Sequence, residues 1–368
     1  MTDDPPLAAP HRLLIVLPSW VGDAVMATPT LRAVRQAFPG IFIGGLCRPG
    51  IDEVLAGTPF FDELHVERAQ GVMGPKFVAA KVRPRRYDTA LLLTNSFSTA
   101  LIVRIAGIPR RIGYDRDARG LLLTDKMKAA RRGRFEWAPV SAVEYYWSLA
   151  SRFLLPASRV GGAALGPLEL ALTPAQRAAG EAILAAAGVG RSHPLAVLVP
   201  GGNNPAKHWP LDHYAAMGSR LLDQGWDLAL NGSPGERDLT ARLASILAAP
   251  PGRVADLAAA GITPGSLKAV VASAGLMIAN DTGPRHIAAA FGVPLVSLFG
   301  PTDHRWTTIP TRPEGPEAIV LADPTLPAHE VANDHPTRCA MHHITVERVW
   351  QAVQSVLARR ETVTPPRL

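Results

Sequence analysis

The feature that most constrains this chain is a pattern used twice: a short apolar run, a turn of small and polar residues, then a segment with helical spacing. Leu13-Leu14-Ile15-Val16-Leu17 opens the first half and Leu195-Ala196-Val197-Leu198-Val199 the second. Runs without polar alternation are what a strand covered on both faces needs. In the first half Pro18-Ser19-Trp20-Val21-Gly22-Asp23 reads as a turn, and Thr28-Pro29 as the N-cap and first position of a helix. Leu31, Val34 and Phe38 mark the buried face of that helix, and Pro39-Gly40 ends it. Further strands are expected over 41–46 and 87–93, the latter delivering Asn95 and Ser96 at its carboxyl end. The second half predicts helices over 212–222, 236–247, 266–274 and 284–291, with strands over 195–199, 226–230, 276–279 and 294–299. Strands alternating with helices imply an α/β protein of two doubly wound, Rossmann-like parallel sheets. Such sheets bind ligands at their carboxyl strand ends, so two in tandem should face one another across a cleft.

Length supports that division, because 368 residues exceed one ordinary core. A Gly/Pro/Ala stretch over 161–174 is the expected join, and 345–360 has helical periodicity through Val346, Val349, Val353 and Val356. Residues 1–10 carry Asp3 and Asp4 and no apolar core, which predicts a short disordered tail, neither signal nor transit peptide. The longest uncharged apolar stretch, 287–301, contains Gly292, Pro294 and Gly300 and is too short to span a bilayer. Two cysteines, Cys47 and Cys339, exclude a disulfide framework and a zinc ribbon and fit a reducing compartment. Charge is uneven: residues 1–165 hold 22 Lys+Arg against 14 Asp+Glu, a net +8, whereas the remainder is at −1. That asymmetry points to an anionic partner for the first half, whether nucleic acid, a membrane face or a phosphorylated glycolipid; an arginine-rich proteome would produce it equally well.

Three stretches at strand ends carry the chemistry. Gly22 permits a sharp turn or close approach, and Asp23 places a carboxylate where it can take a proton from an attacking hydroxyl. A nearby helix start favours its ionised form, and a plain capping aspartate is the commoner outcome of such spacing. The loop Pro200-Gly201-Gly202-Asn203-Asn204-Pro205-Ala206-Lys207-His208-Trp209-Pro210 offers free N–H groups for a phosphate, with Lys207 as the opposing charge. It lacks the Walker A spacing. In Asn280-Asp281-Thr282-Gly283-Pro284-Arg285-His286 a strand ends at Asp281, and the Thr282 and Gly283 N–H groups open a helix toward an anionic leaving group; His286 is expected close enough to touch it. No GxGxxG follows the first strand of either half, which counts against a dinucleotide oxidoreductase. His335, Cys339, His342 and His343 match no standard zinc spacing and are expected to be structural.

Together these stretches resemble glycosyltransferase family 9, the ADP-heptose:lipopolysaccharide heptosyltransferases, over residues 12–356. The family's PSxxGD, PG…KxWP, D[ST]GxxH and GP[ST] elements occur in order as Pro18–Asp23, Pro200-Gly201…Lys207-His208-Trp209-Pro210, Asp281-Thr282-Gly283…His286 and Gly300-Pro301-Thr302. The resemblance implies a GT-B fold with an acceptor-binding domain over 11–168 and a nucleotide-sugar domain over 169–344. Residues 345–368 would be a helix returning to the first domain and a tail. It implies an inverting, metal-independent transfer without a cofactor, with Asp23 as general base and Asn203, Asn204, Lys207, Glu236, Asp281, Thr282, Gly283 and His286 toward the donor; in the basic first half Ser19, Asn95, Ser96, Arg110, Arg111 and Arg119 are the expected acceptor contacts. The implied partners are an ADP-sugar and the anionic lipopolysaccharide core, with peripheral contact at the cytoplasmic face of the inner membrane and no nucleic acid. The motifs at 18–23, 94–97 and 107–123 look most like heptosyltransferase II, which adds the second heptose. In two places the chain departs from that branch: the loop 200–207 is one residue shorter, and Pro284-Arg285 stands where Leu-Met is expected. The alternatives are another family 9 transferase, acting at the first or third heptose or on a different nucleotide sugar, and a nucleotide-sugar epimerase of the same architecture, which would alter donor without acceptor.

Overall fold

The computed structural model describes residues 9–363, except residues 135, 157–164 and 191. Of the tail expected over 1–10, residues 1–8 lie outside the described residues. The chain divides into two compact units, Met1–Gly166 and Pro167–Leu368, within the Gly/Pro/Ala stretch singled out as a join.

The first unit is a six-stranded, all-parallel sheet of β1 (Arg12–Val16), β2 (Phe42–Cys47), β3 (Glu63–Val66), β4 (Thr89–Leu92), β5 (Arg110–Tyr114) and β6 (Asp125–Met127), in the spatial order β3-β2-β1-β4-β5-β6. Its helices are α1 (Val21–Met26), α2 (Thr28–Ala37), α3 (Ile51–Leu55), α4 (Gly74–Val82), α5 (Phe97–Ile105) and α6 (Ala142–Phe153). The run expected as a turn over 18–23 is shorter than that, because α1 already begins at Val21. α1 passes through Ala27 into α2, so the Thr28 hydroxyl donates to Val25 O (2.7 Å) instead of capping.

The second unit repeats the design with β7 (Leu195–Val199), β8 (Asp227–Leu230), β9 (Val254–Asp256), β10 (Leu276–Asn280), β11 (Leu295–Phe299) and β12 (Glu317–Leu321), ordered β12-β11-β10-β7-β8-β9 and again parallel throughout. Its helices are α7 (Pro174–Ala187), α8 (Leu211–Asp223), α9 (Arg237–Leu247), α10 (Pro264–Ala272), α11 (Gly283–Phe291) and α12 (Val346–Val363). Read from each unit's first strand, the two orders are the same: the chain moves outward to the third strand, then returns to the far side of the first.

β7, β10 and β11 are buried along their whole length. Hence they read as continuous apolar runs. α12 belongs to the second compact unit. Its Val349, Val353 and Val356 are fully buried in the core of the second unit, against β11, β12 and α8. Burying each valine is worth roughly 1.5–3 kcal/mol relative to leaving it in water. That is reason enough for the helix to close the second sheet.

Candidate active site

In each sheet the topology creates one switch point, where neighbouring strands send their following segments to opposite faces. It lies between β1 and β4 in the first unit and between β7 and β10 in the second. An open α/β sheet leaves its ligand crevice there, at the carboxyl ends. The candidate loops occupy those places: 17–23 follows β1, 93–97 follows β4, 200–210 follows β7 and 281–286 follows β10.

At the first switch point Ser19 and Asp23 are half-buried, with Asp23 in the first turn of α1. Burial and the Asp23 carboxylate together hold the Tyr146 phenol of α6 well above its ordinary value. Asn95 is fixed from two sides: Tyr145 Oη donates to its Oδ1 (3.0 Å), and so does Arg119 (3.2 Å). Ser96 caps α5 by accepting from Thr99 N (3.3 Å). Arg119 is fully buried; it donates to Tyr114 O (2.8 Å) and to Thr94 O, and burial lowers it to about 10.

The second switch point is organised by Asn280, fully buried at the end of β10. Its Nδ2 donates to Pro200 O (2.9 Å) and Gly201 O (3.1 Å), while its Oδ1 accepts from Tyr214 Oη (3.1 Å) and Trp209 N (3.3 Å). One side chain thus ties the loop after β7 to the loop after β10. Trp209 anchors the far end of that loop, fully buried, its indole N–H donating to Ile344 O (2.8 Å). Within this frame Lys207 Nζ reaches Asp281 Oδ2 (2.8 Å), and Thr307 Oγ1 donates to Asp281 Oδ1 (3.1 Å). Burial acts to raise the Asp281 carboxyl, but the Lys207 and Arg285 cations outweigh it and hold the group below its ordinary value. Glu236 accepts from Gly202 N (2.5 Å) and Ser233 N (2.7 Å); these bonds overcome its partial burial and keep it ionised. Two glycines allow this approach. A Cβ on Gly201 would lie 2.0 Å from Glu236 Oε1, and Gly202 has φ +148°, where a Cβ would meet Thr282 Cγ2 at 2.8 Å.

The family model for glycosyltransferase family 9 (heptosyltransferase) matches residues 78–338. The chain belongs to that family. Among its relatives, lipopolysaccharide heptosyltransferase 2 of Salmonella typhimurium is 29% identical over 308 residues, covering 80% of this chain and 84% of the relative. Lipopolysaccharide heptosyltransferase 1 of Pseudomonas aeruginosa is 28% identical over 312 residues, covering 80% of each. Among solved structures, ADP-heptose LPS heptosyltransferase II of E. coli superposes with a TM-score of 0.75 at 25% identity, covering 95% of this chain and 99% of that one. The fold is therefore that of the family 9 glycosyltransferases, and the motif resemblance to heptosyltransferase II is matched by the Salmonella relative and the E. coli structure.

For a family 9 enzyme, the expected site residues fall into two groups. Lys207, Glu236, Asp281, Thr282 and Gly283 gather at the second switch point with Asn203 and Asn204, both exposed on the loop; Asn204 Oδ1 accepts from Ala206 N (3.1 Å). Ser19, Asp23, Asn95 and Ser96 gather at the first. Four expectations need revision in their detail. Arg119 is enclosed and bonded as above. Arg110 donates to Phe153 O (2.6 Å) and pairs with Asp125 (3.2 Å), while Arg111 donates to Leu122 O (2.6 Å), Ile108 O (2.6 Å) and Pro109 O (2.8 Å). Only Arg119 braces Asn95; Arg110 and Arg111 open β5 level with Thr89 and Ala90, at the amino end of the sheet and away from the carboxyl-end loops. The fourth, His286, is only 3% exposed and turns inward, its Nδ1 3.1 Å from Thr282 O. Burial and the neighbouring Arg285 push it down to about 3, so it is neutral.

Tyr214, Thr307 and Tyr145 lie outside the motifs, and Asn280 opens the third stretch without a role being expected of it. Asn280 carried a legible signal, being an amide that closes a wholly apolar run; the others are brought in from distant segments. Among the described residues no three His, Cys, Asp or Glu side chains converge in a way that would hold a metal ion. Of the cluster near the C-terminus, His335 pairs with Glu330 (2.7 Å) and the rings of His342 and His343 lie against each other.

Proposed function

We propose that this enzyme transfers L-glycero-D-manno-heptose, with inversion, from ADP-heptose to the inner core of lipopolysaccharide, and that it adds the second heptose. The observation that carries the reading is the division of chemistry between the switch points: a carboxylate, Asp23, at the first, and a lysine beside a helix N-terminus at the second. In the proposed reaction the acceptor hydroxyl attacks the anomeric carbon of the heptose, the bond from that carbon to the diphosphate oxygen breaks, and Asp23 takes the hydroxyl proton. Lys207 keeps Asp281 with one N–H and turns another to the diphosphate, and the Thr282 and Gly283 N–H groups at the start of α11 meet the departing charge. Glu236 retains lone pairs for the ribose hydroxyls, and Asn203 and Asn204 border the same loop. Asn280 and Trp209 hold that loop in place before substrate arrives.

The acceptor is anionic, and Ser19, Asn95 and Ser96 are its expected polar contacts, with Arg119 holding Asn95 in place. Peripheral contact with the cytoplasmic face of the inner membrane, with no nucleic acid partner, completes the proposal. Exposed Val72, Met73 and Phe77 beside Lys76, in the segment following β3, are consistent with such contact. Among the described residues no helix is long and apolar enough to cross a membrane. No metal or cofactor is assigned a part in the transfer.

Calorimetric titration with ADP tests the donor half: Lys207→Ala should weaken ADP binding at least tenfold, on the order of the charge-assisted bond removed. ADP affinity equal to the parent's would remove Lys207 from the diphosphate site.

A further inference from the structure

A cation with no contact to solvent lies beneath the donor turn. Arg285, in the first turn of α11, is fully buried, and its guanidinium gathers groups from four segments. Its Nε donates to Ser297 Oγ on β11 (2.9 Å) and to Glu317 Oε1 on β12 (2.8 Å); Ser297 Oγ donates to the same Glu317 oxygen (2.5 Å). One terminal nitrogen donates to Thr307 O (2.9 Å) and lies 4.0 Å from Asp281 Oδ1 and 3.4 Å from His286 Nε2. The guanidinium carbon sits 4.9 Å from the centre of the Phe299 ring. A buried ion pair stabilises a core no better than apolar side chains of the same volume, so its position calls for a geometric reason. Thr307 supplies that reason, since Arg285 holds its backbone carbonyl and its hydroxyl in turn holds the Asp281 oxygen that Lys207 does not take.

We propose that Arg285 is a positioning residue for nucleotide binding: through Thr307 it fixes the Asp281 carboxylate, which aims Lys207 at the donor diphosphate, and Glu317 is its counter-anion. The inference rests on the proposed donor role of Lys207. Arg285 itself touches neither substrate nor reacting atoms. Its effect should therefore appear in donor affinity and depend on Lys207 being present.

Two variants test this, with ADP affinity, donor KM and kcat as readouts. Arg285→Met combined with Glu317→Gln removes the pair without leaving a buried orphan charge, and Thr307→Val removes only the hydroxyl link. The first should weaken ADP binding about tenfold and the second about threefold, each raising donor KM while kcat stays within about twofold. Adding Lys207→Ala to either should cost no more than Lys207→Ala alone. Parent-like ADP affinity in Thr307→Val, or losses that simply add to that of Lys207→Ala, would overturn the inference. Thr307→Val decides the matter if the double variant does not fold. Should Lys207→Ala itself bind ADP like the parent, the donor-site reading fails; should Lys207→Ala lose affinity while Thr307→Val does not, only the role of Arg285 fails.

Discussion

Acidification should destabilise this enzyme through His286 in a way that can be isolated. The ring is buried at the start of α11, its Nδ1 set against Thr282 O and its Nε2 facing the Arg285 guanidinium. Protonation would place a second cation beside Arg285 without water, and the imidazole is accordingly pushed down to about 3. In the unfolded chain the same group titrates near ~6.5. Between those values the unfolded state binds one more proton than the folded state. Stability is therefore complete above the unfolded value and declines as pH falls toward the folded one. At pH 5 the gap of roughly 1.5 units to the unfolded value corresponds to about 2 kcal/mol. The assay is urea unfolding of the full chain and of His286→Gln, each at pH 8 and pH 5. On going to pH 5 the parent should lose about 2 kcal/mol more than the variant, whatever the other groups contribute to both. Equal losses, or an imidazole NMR titration of His286 near the ordinary histidine value, would refute the placement of a neutral ring against Arg285.

Further outcomes follow from the same contacts. Asp23→Asn should lower kcat for heptose transfer about 10²- to 10⁴-fold, the usual contribution of a general base, and leave ADP affinity unchanged; undiminished transfer would sink the assignment of the base. Gly201→Ala would drive a methyl group into Glu236; we expect ADP affinity to fall with little change in melting temperature, and an unaffected affinity would show that the Glu236–Gly202 contact is unimportant for the donor. Trp209→Phe leaves the Ile344 carbonyl without its indole donor and should cost about 1–3 kcal/mol in equilibrium unfolding.

How much of this was legible in the sequence depended on burial. The strand over 195–199 is legible to the residue and those at β10 and β11 to within one, because strands covered on both faces are apolar at nearly every position, Ser297 and the closing Asn280 excepted. β3, β6, β9 and β12 are not legible: all four are edge strands that mix charged with apolar residues, and the first three are also short. β5 was missed for a related reason, since it opens on Arg110-Arg111 and reads as a basic cluster. Those arginines show the limit most clearly. Sequence displays the charge but not its partner, and here the partners are Asp125 and carbonyls on segments up to 43 residues away. The same limit applied to His286, whose position after a strand-end turn was recognisable while the direction of its ring was not. Lys207 and Asp281 were singled out separately by their motifs. That they meet at 2.8 Å follows from the adjacency of β7 and β10, which strand order alone determines.

A donor panel decides whether the enzyme moves heptose from ADP-heptose to the inner core. Purified enzyme is incubated with heptosyl-Kdo-lipid A and, separately, with ADP-heptose, GDP-sugars and UDP-sugars, and the glycolipid is read by mass spectrometry. Addition of a single heptose is expected with ADP-heptose alone, and an unaltered donor when acceptor is left out. Transfer from a GDP- or UDP-sugar, or conversion of the donor in acceptor-free buffer, would contradict that expectation.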